Sequence, residues 1–379
     1  MKEVIVRSIL FAVLSAVLLA SCDDVEEGIS YKKTTFPVGE VVWRSDVSAS
    51  EQAVISNLIN NMVKVEACQF YMGAQAKTYR RANYFGYFSG RDSVFLRDGK
   101  AFTRNLKTAD TVFYNPGNFH FIDTIKTKKD TVCYANVYKN GVFWVGPVIE
   151  VSMPDYYIGK YEITQAEWMA VMHREPTGQY CIVEGRSGAS WYKEIGLGDK
   201  VAAYNVWYQD AKDFCDSLNA KTGLRFRLPT EAEWECAARG GKYSRGYRYA
   251  GSDSYTEAGW VYSNACAQKI GEEDYGIHAG GEKVANELGI YDMCGNVSEW
   301  VLNAYYKYGV LDSINPQGKA PLLDGTDTLI LRGGSWMQTK YADFSVANRK
   351  HAIMSSYSDE SSMQSAFVNC GFRITISAN

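Results

Sequence analysis

The sequence predicts an α+β chain poor in regular structure, on three observations. Short amphipathic segments carry helix caps, a separate block reads as strands and hairpins, and about a hundred further residues rich in Gly, Tyr, Ser and Asp show little periodicity. The chain has 379 residues and is 46% hydrophobic, enough for a substantial core. Its net charge of −3 gives no basic footprint, so no nucleic-acid partner is expected. Tyr 27 and Trp 9 are high counts, which fit loop-rich packing or an aromatic binding surface.

The first 22 residues read as a secretory signal rather than part of the fold. Lys2 and Arg7 precede an apolar run from Ile9 to Ala20, which is short for a membrane span. Leu19-Ala20-Ser21-Cys22 resembles a bacterial lipobox, which implies cleavage before Cys22 and its lipidation. Two or three acyl chains anchor stably where one is marginal. Residues 23–48 are expected to form a tether, and their acidic start resembles the surface-export signal of Bacteroidetes lipoproteins. The expected location is the cell envelope, as an outer-membrane lipoprotein facing the periplasm or the surface.

Along the chain, Val54, Leu58, Ile59 and Met62 recur at helical spacing and predict a helix over residues 49–66. Asp98-Gly99 and Asn140-Gly141 are hairpin signals within a strand-rich stretch, residues 80–147. DTVFY and DTVCY recur there 20 residues apart, too little for a solenoid. Thr164 with Glu167, and Thr230 with Glu233, form capping boxes at two helix starts. Trp207, Ala211, Phe214, Cys215 and Leu218 share a helical face that Gly223 terminates, and Gly240-Gly241 end the next helix. Beyond Cys22 the chain has eight cysteines without CxxC or zinc spacing, and few or no disulfides are expected.

In this order the chain carries YYIGKYEITQAEW, RFRLPTEAEWECAARGG, LGIYDMCGNVSEWV, LRGGSW and NCGFRI. Together they resemble the formylglycine-generating enzyme, or sulfatase-modifying factor, family from about Asn61 to the C-terminus. The resemblance implies one α+β domain, here residues 49–379, related to the C-type lectin fold and loop-rich. The strand-rich stretch at 80–147 is then an insertion.

Active members of that family oxidise a sulfatase cysteine with O₂, holding Cu(I) through two cysteines shortly after the GGS[WY] turn; soft thiolates select Cu(I). Counting from Gly333-Gly334-Ser335-Trp336, the resemblance places those positions on Gln338 and Asp343, so no copper is expected. The former pocket is then Trp336, Gln338, Asp343 and Arg349. Trp336, Gln338, Tyr341, Asp343 and Phe344 are expected to leave an aromatic and polar surface. The family's structural Ca²⁺ maps onto the Asp292 carboxylate, the Gly295 and Val297 carbonyls and the Glu299 carboxylate, a mixed oxygen set that suits a hard cation. Asn264 is a candidate for a second calcium site. Arg349 and Arg373 also match the family and are expected to be structural.

Iron held by three histidines, a relative's chemistry, finds no matching spacing among His120, His173, His278 and His351. GxSxG, HExxH and P-loop motifs are absent from the sequence. The leading expectation is a non-catalytic envelope lipoprotein that binds a protein or glycan partner. The alternatives are a diverged oxidoreductase recruiting Cys294 or Cys370, and a lectin-like adhesin or display module.

Overall fold

The computed structural model describes residues 33–73, 149–176, 191–267, 269–304, 328–353 and 369–378, together with strands between 91 and 143. The fold is α+β, with the expected loop-rich character.

Strands β1 (Lys33–Phe36) and β2 (Gly39–Val42) pair as a hairpin. Phe36, Val38, Val41, Trp43 and Val47 are buried in the larger of two hydrophobic clusters. The tether expected over 23–48 is therefore corrected from residue 33 onward. The alternation Phe36/Val38 and Val41/Trp43 gives this stretch one apolar face to bury.

Helix α1 (Ala49–Asn60) begins with a capping box: the Glu51 N–H donates to the Ser48 hydroxyl (3.3 Å), and the Ser48 N–H donates to Glu51 Oε2 (2.8 Å). The helix stops at Asn60 rather than 66, and Met62 opens strand β3 (Met62–Val65). The β-branched Val63 and Val65 favour extended backbone, and a partner strand is in reach.

β4 (Cys68–Met72) leads into β5 (Arg91–Arg97), β6 (Lys100–Asn105), β7 (Thr111–Tyr114), β8 (Phe119–Lys126), β9 (Thr131–Lys139) and β10 (Val142–Phe143), which form one six-stranded sheet. Arg97 lies opposite Lys100, and Lys139 opposite Val142; the expected hairpin signals Asp98-Gly99 and Asn140-Gly141 lie outside the described residues. β11 (Ile149–Met153) then returns to pair with β4 along its whole length. The six strands are thus inserted between the two halves of a hairpin.

β12 (Tyr156–Gly159) lies between β3 and the last strand, β17 (Thr375–Ser377). It leads to α2 (Gln165–Met172), then α3 (Tyr208–Thr222) and α4 (Glu231–Ala238). Both expected capping boxes close, at Thr164/Glu167 and at Thr230/Glu233. Gly223 ends α3 at φ 72°. Trp207 is the N-cap of α3, while Ala211, Phe214, Cys215 and Leu218 are its buried stripe.

From α4 to β13 (Ser298–Ala304) the described chain makes short helical turns and isolated bridges rather than strands. Backbone contact holds it: a Cβ on Gly259 would lie 1.5 Å from the Cys294 carbonyl oxygen, and one on Gly295 2.1 Å from that of Trp260. β13 pairs antiparallel with β14 (Thr328–Arg332), which pairs with β15 (Lys350–Ile353), while β16 (Cys370–Gly371) runs parallel to β13. β13, β14 and β16 carry the sequence motifs to one sheet.

Candidate functional site

Gly333 and Gly334 turn the chain out of β14 at φ 83° and 76°, a path that side chains disfavour. A Cβ on Gly334 would lie 2.6 Å from Gln338 Oε1 and 2.8 Å from the Asp343 carbonyl oxygen. The Gln338 side chain and the Asp343 backbone thus both crowd Gly334. Gln338 Oε1 accepts the Ser335 N–H (2.9 Å), and the Asn348 amide donates to the Asp343 carbonyl (3.0 Å). Burial raises the Asp343 carboxyl above the usual carboxylate range, against Lys340 and Lys350. Neither side chain offers a thiol.

The expected exposed surface is corrected at Trp336 and Phe344. Trp336 is fully buried with its ring edge-on to Tyr275, and Phe344 is buried and stacked on Tyr255. Large rings in this loop fill space behind the turn instead of facing solvent. The Trp336 indole N–H has no hydrogen-bond partner among the described residues. The Tyr341 side chain lies outside the described residues. Arg349 pairs through Nε and Nη2 with both oxygens of Glu231 (2.5 and 2.8 Å), so its place is a salt bridge to α4.

Cys294 and Cys370, the alternative copper ligands, are both fully buried and sit in different hydrophobic clusters. Burial pushes each thiol up to about 12. The Cys294 thiol donates to the Phe344 carbonyl. A different pair meets: Cys68 Sγ of β4 and Cys236 Sγ of α4 are 3.3 Å apart, both as free thiols. Among the described residues no three His, Cys, Asp or Glu side chains are grouped to hold a metal. His278 lies flat on Trp260 at 3.6 Å, and His173 takes the left-handed position after α2. His120 and His351 lie on β8 and β15, and their side chains are outside the described residues.

The loop Asp292–Glu299 is the second candidate region. Asp292, Gly295 and Asn296 all have positive φ (56°, 81° and 52°), so the loop doubles back tightly. Asp292 Oδ2 accepts the Gly281 N–H (2.8 Å), while its Oδ1 is buried without a partner. Glu299 is fully buried: Oε2 accepts from Trp234 Nε1 (2.8 Å) and Arg373 Nε (2.7 Å), and Oε1 accepts from Arg373 Nη2 (2.8 Å). A carboxylate has about four acceptor positions, so Oε1 keeps one free.

Glu162, which sequence reasoning missed, faces the same loop, accepting from Asn296 Nδ2 (2.5 Å) and the Val297 N–H (3.1 Å). Three buried carboxylates, Glu162, Asp292 and Glu299, thus share one guanidinium, Arg373. Burial and then Asp292 and Glu299 raise Glu162 well above the carboxylate range, and burial lifts Asp292 to about 6. The unpartnered Asp292 oxygen is a buried oxygen donor of the kind calcium prefers, and it is the observation here that fits such a cation. The Asn264 side chain is bonded locally: its Oδ1 accepts the Val261 N–H, and its Nδ2 donates to the Thr256 and Gly259 carbonyls. Those bonds hold its own turn. Cys22 lies outside the described residues, and no described helix is long and apolar enough to cross a membrane.

Comparison with known proteins places these motifs. The family model for the sulfatase-modifying factor enzyme 1-like domain matches residues 97–378. Chaperone protein LppX of Paenibacillus barcinonensis is 34% identical over 176 residues, covering 40% of this chain and 62% of that protein. Inactive C-alpha-formylglycine-generating enzyme 2 of Mus musculus is 30% identical over 198 residues, covering 50% and 56%. The chain therefore spans less than two thirds of the length of these relatives. The structure of PvdO from Pseudomonas aeruginosa aligns over 83% of this chain and 94% of that one, with a TM-score of 0.52 and 19% identity, a likeness of fold. With the family model covering most of its length, the chain belongs to the family of sulfatase-modifying factor enzyme 1-like domains.

Proposed function

We propose that this chain is a cell-envelope lipoprotein, anchored through Cys22, whose domain binds a protein or glycan partner and performs no copper chemistry. The observation that carries this reading is the pair of side chains at the ligand positions. Gln338 and Asp343 replace both thiolates, and Gln338 closes its own turn through the Ser335 N–H. A relative whose name calls it inactive supports the reading, since the family includes members without the activity. In this reading a structural Ca²⁺ is held by Asp292, Gly295, Val297 and Glu299, beside Arg373.

Elemental analysis after incubation with Cu(I) and Ca²⁺ and desalting tests it. The expected result is about one retained calcium, lost with Asp292→Ala. Copper that is retained by the wild type and lost in a Gln338→Ala, Asp343→Ala variant would overturn the reading. In cells, cross-linking of the full chain should give a discrete adduct with an envelope protein or polysaccharide; a chain that gives none contradicts partner binding.

A further inference from the structure

We propose that Cys68 and Cys236 form a disulfide that clamps the root of the inserted strands to helix α4. The two sulfurs are 3.3 Å apart although the residues are 168 positions apart in sequence. They must close by only about 1.3 Å to reach the disulfide bond length of about 2.05 Å. Cys236 is fully buried in the smaller hydrophobic cluster, and Cys68 packs against that cluster, so the two sulfurs meet inside the fold.

The position gives the bond a consequence. Cys68 is the first residue of β4, opposite Met153 on β11, at the base of the hairpin that carries the insertion. At the other end of β4, the Gly73 N–H donates to Glu235 Oε1 (2.7 Å), and Arg239 Nη2 donates to the Gly73 carbonyl (2.8 Å). Consecutive residues of α4, Glu235 and Cys236, therefore hold both ends of β4. Glu235 also pairs with Arg332 of β14, beside the Gly-Gly turn. A covalent bond at Cys68 would make the inserted strands and that turn share one rigid support.

The chemistry is asymmetric. Cys68 is half-buried, and its contact with Cys236 lowers its thiol below the usual range, whereas Cys236 is fully buried and raised by the same contact. Cys68 is thus the sulfur that attacks an external oxidant of the disulfide class, such as oxidised glutathione or a thiol–disulfide oxidase. The oxidant's S–S bond breaks, one of its thiolates leaves, and a mixed disulfide forms on Cys68. Cys236 then attacks the Cys68 sulfur, loses its proton to solvent and expels the second thiolate. Two protein thiols are oxidised, and one reagent disulfide is reduced to two thiols.

The test uses the full chain equilibrated in glutathione buffers from reducing to oxidising. Free thiols are blocked with N-ethylmaleimide, and the protein is digested without reduction and analysed by mass. The expected product is a peptide pair joined through Cys68 and Cys236. Reductant should then lower Tm by about 5 °C or more in the wild type, because the closed loop is long, and leave a Cys68→Ser variant unmoved. Cys68 is the residue to replace because it is half-exposed, whereas a change at buried Cys236 disturbs the core. Quantitative alkylation of both cysteines after unfolding without reduction, even from the most oxidising buffer, would overturn the proposal.

Discussion

Arg373, near the C-terminus, is fully buried and grips Glu299 with two hydrogen bonds of 2.7 and 2.8 Å. Two further donors go to the Gly159 and Tyr291 carbonyls, so one guanidinium ties β12, the carboxylate loop and the C-terminal segment together. Removing it leaves Glu299, Asp292 and Glu162 buried without their shared cation. Arg373→Met should destabilise the domain by about 3–5 kcal/mol. Urea denaturation measures this, and the double variant with Glu299→Gln should lose less than the sum of the singles.

Calcium removal should act on the same region. A ligand present at 100 times its Kd stabilises by about 2.7 kcal/mol. EGTA should therefore lower Tm, and added Ca²⁺ should restore it more effectively than Mg²⁺, which prefers a smaller octahedral shell. Asp292→Ala should abolish the response in a thermal melt.

The Gly-Gly turn should reject a side chain. Gly334 combines φ 76° with a Cβ direction blocked by Gln338 and the Asp343 backbone. Gly334→Ala should cost about 1–3 kcal/mol, read by chemical denaturation. A stability equal to wild type would mean the turn relaxes freely.

Acid should weaken the junction of α1, α2 and α3. Lys221 Nζ donates to Glu51 Oε1 (2.8 Å), and Ser48 caps the same carboxylate, holding Glu51 down to about 2. Because the folded value lies below the unfolded one, the pair stabilises at neutral pH. That stability is lost as pH falls from about 4.5 towards 2. Glu51→Gln should remove about 1–2 kcal/mol at pH 7, a figure reduced for partial solvent screening, and flatten the stability profile across that acid window.

Local chemistry was legible in the sequence, and distant pairing was not. The boxes at Thr164/Glu167 and Thr230/Glu233 span three residues, so sequence spacing alone locates them. The Gly-Gly turn is legible for the same reason. Glu231 meets Arg349 across 118 residues, Glu162 meets Val297 across 135, and Cys68 meets Cys236 across 168. No periodicity links such residues; the sheet topology brings them together. Glu231 and Glu235 read as ordinary helix carboxylates until α4 is placed against β14 and β4. Similarly, β1 and β2 are only four residues each and follow a polar run, so their buried face shows only when Trp43 and Val41 are seen in the core.

We propose that the turn after β14 supports no copper-dependent oxidation. The measurement that tests it most directly is mass analysis of a cysteine-containing sulfatase peptide incubated in air with the copper-treated full chain. Unchanged peptide, with no oxygen uptake above a protein-free control, is the predicted result. Conversion of the cysteine to formylglycine at a rate that scales with protein concentration would contradict it.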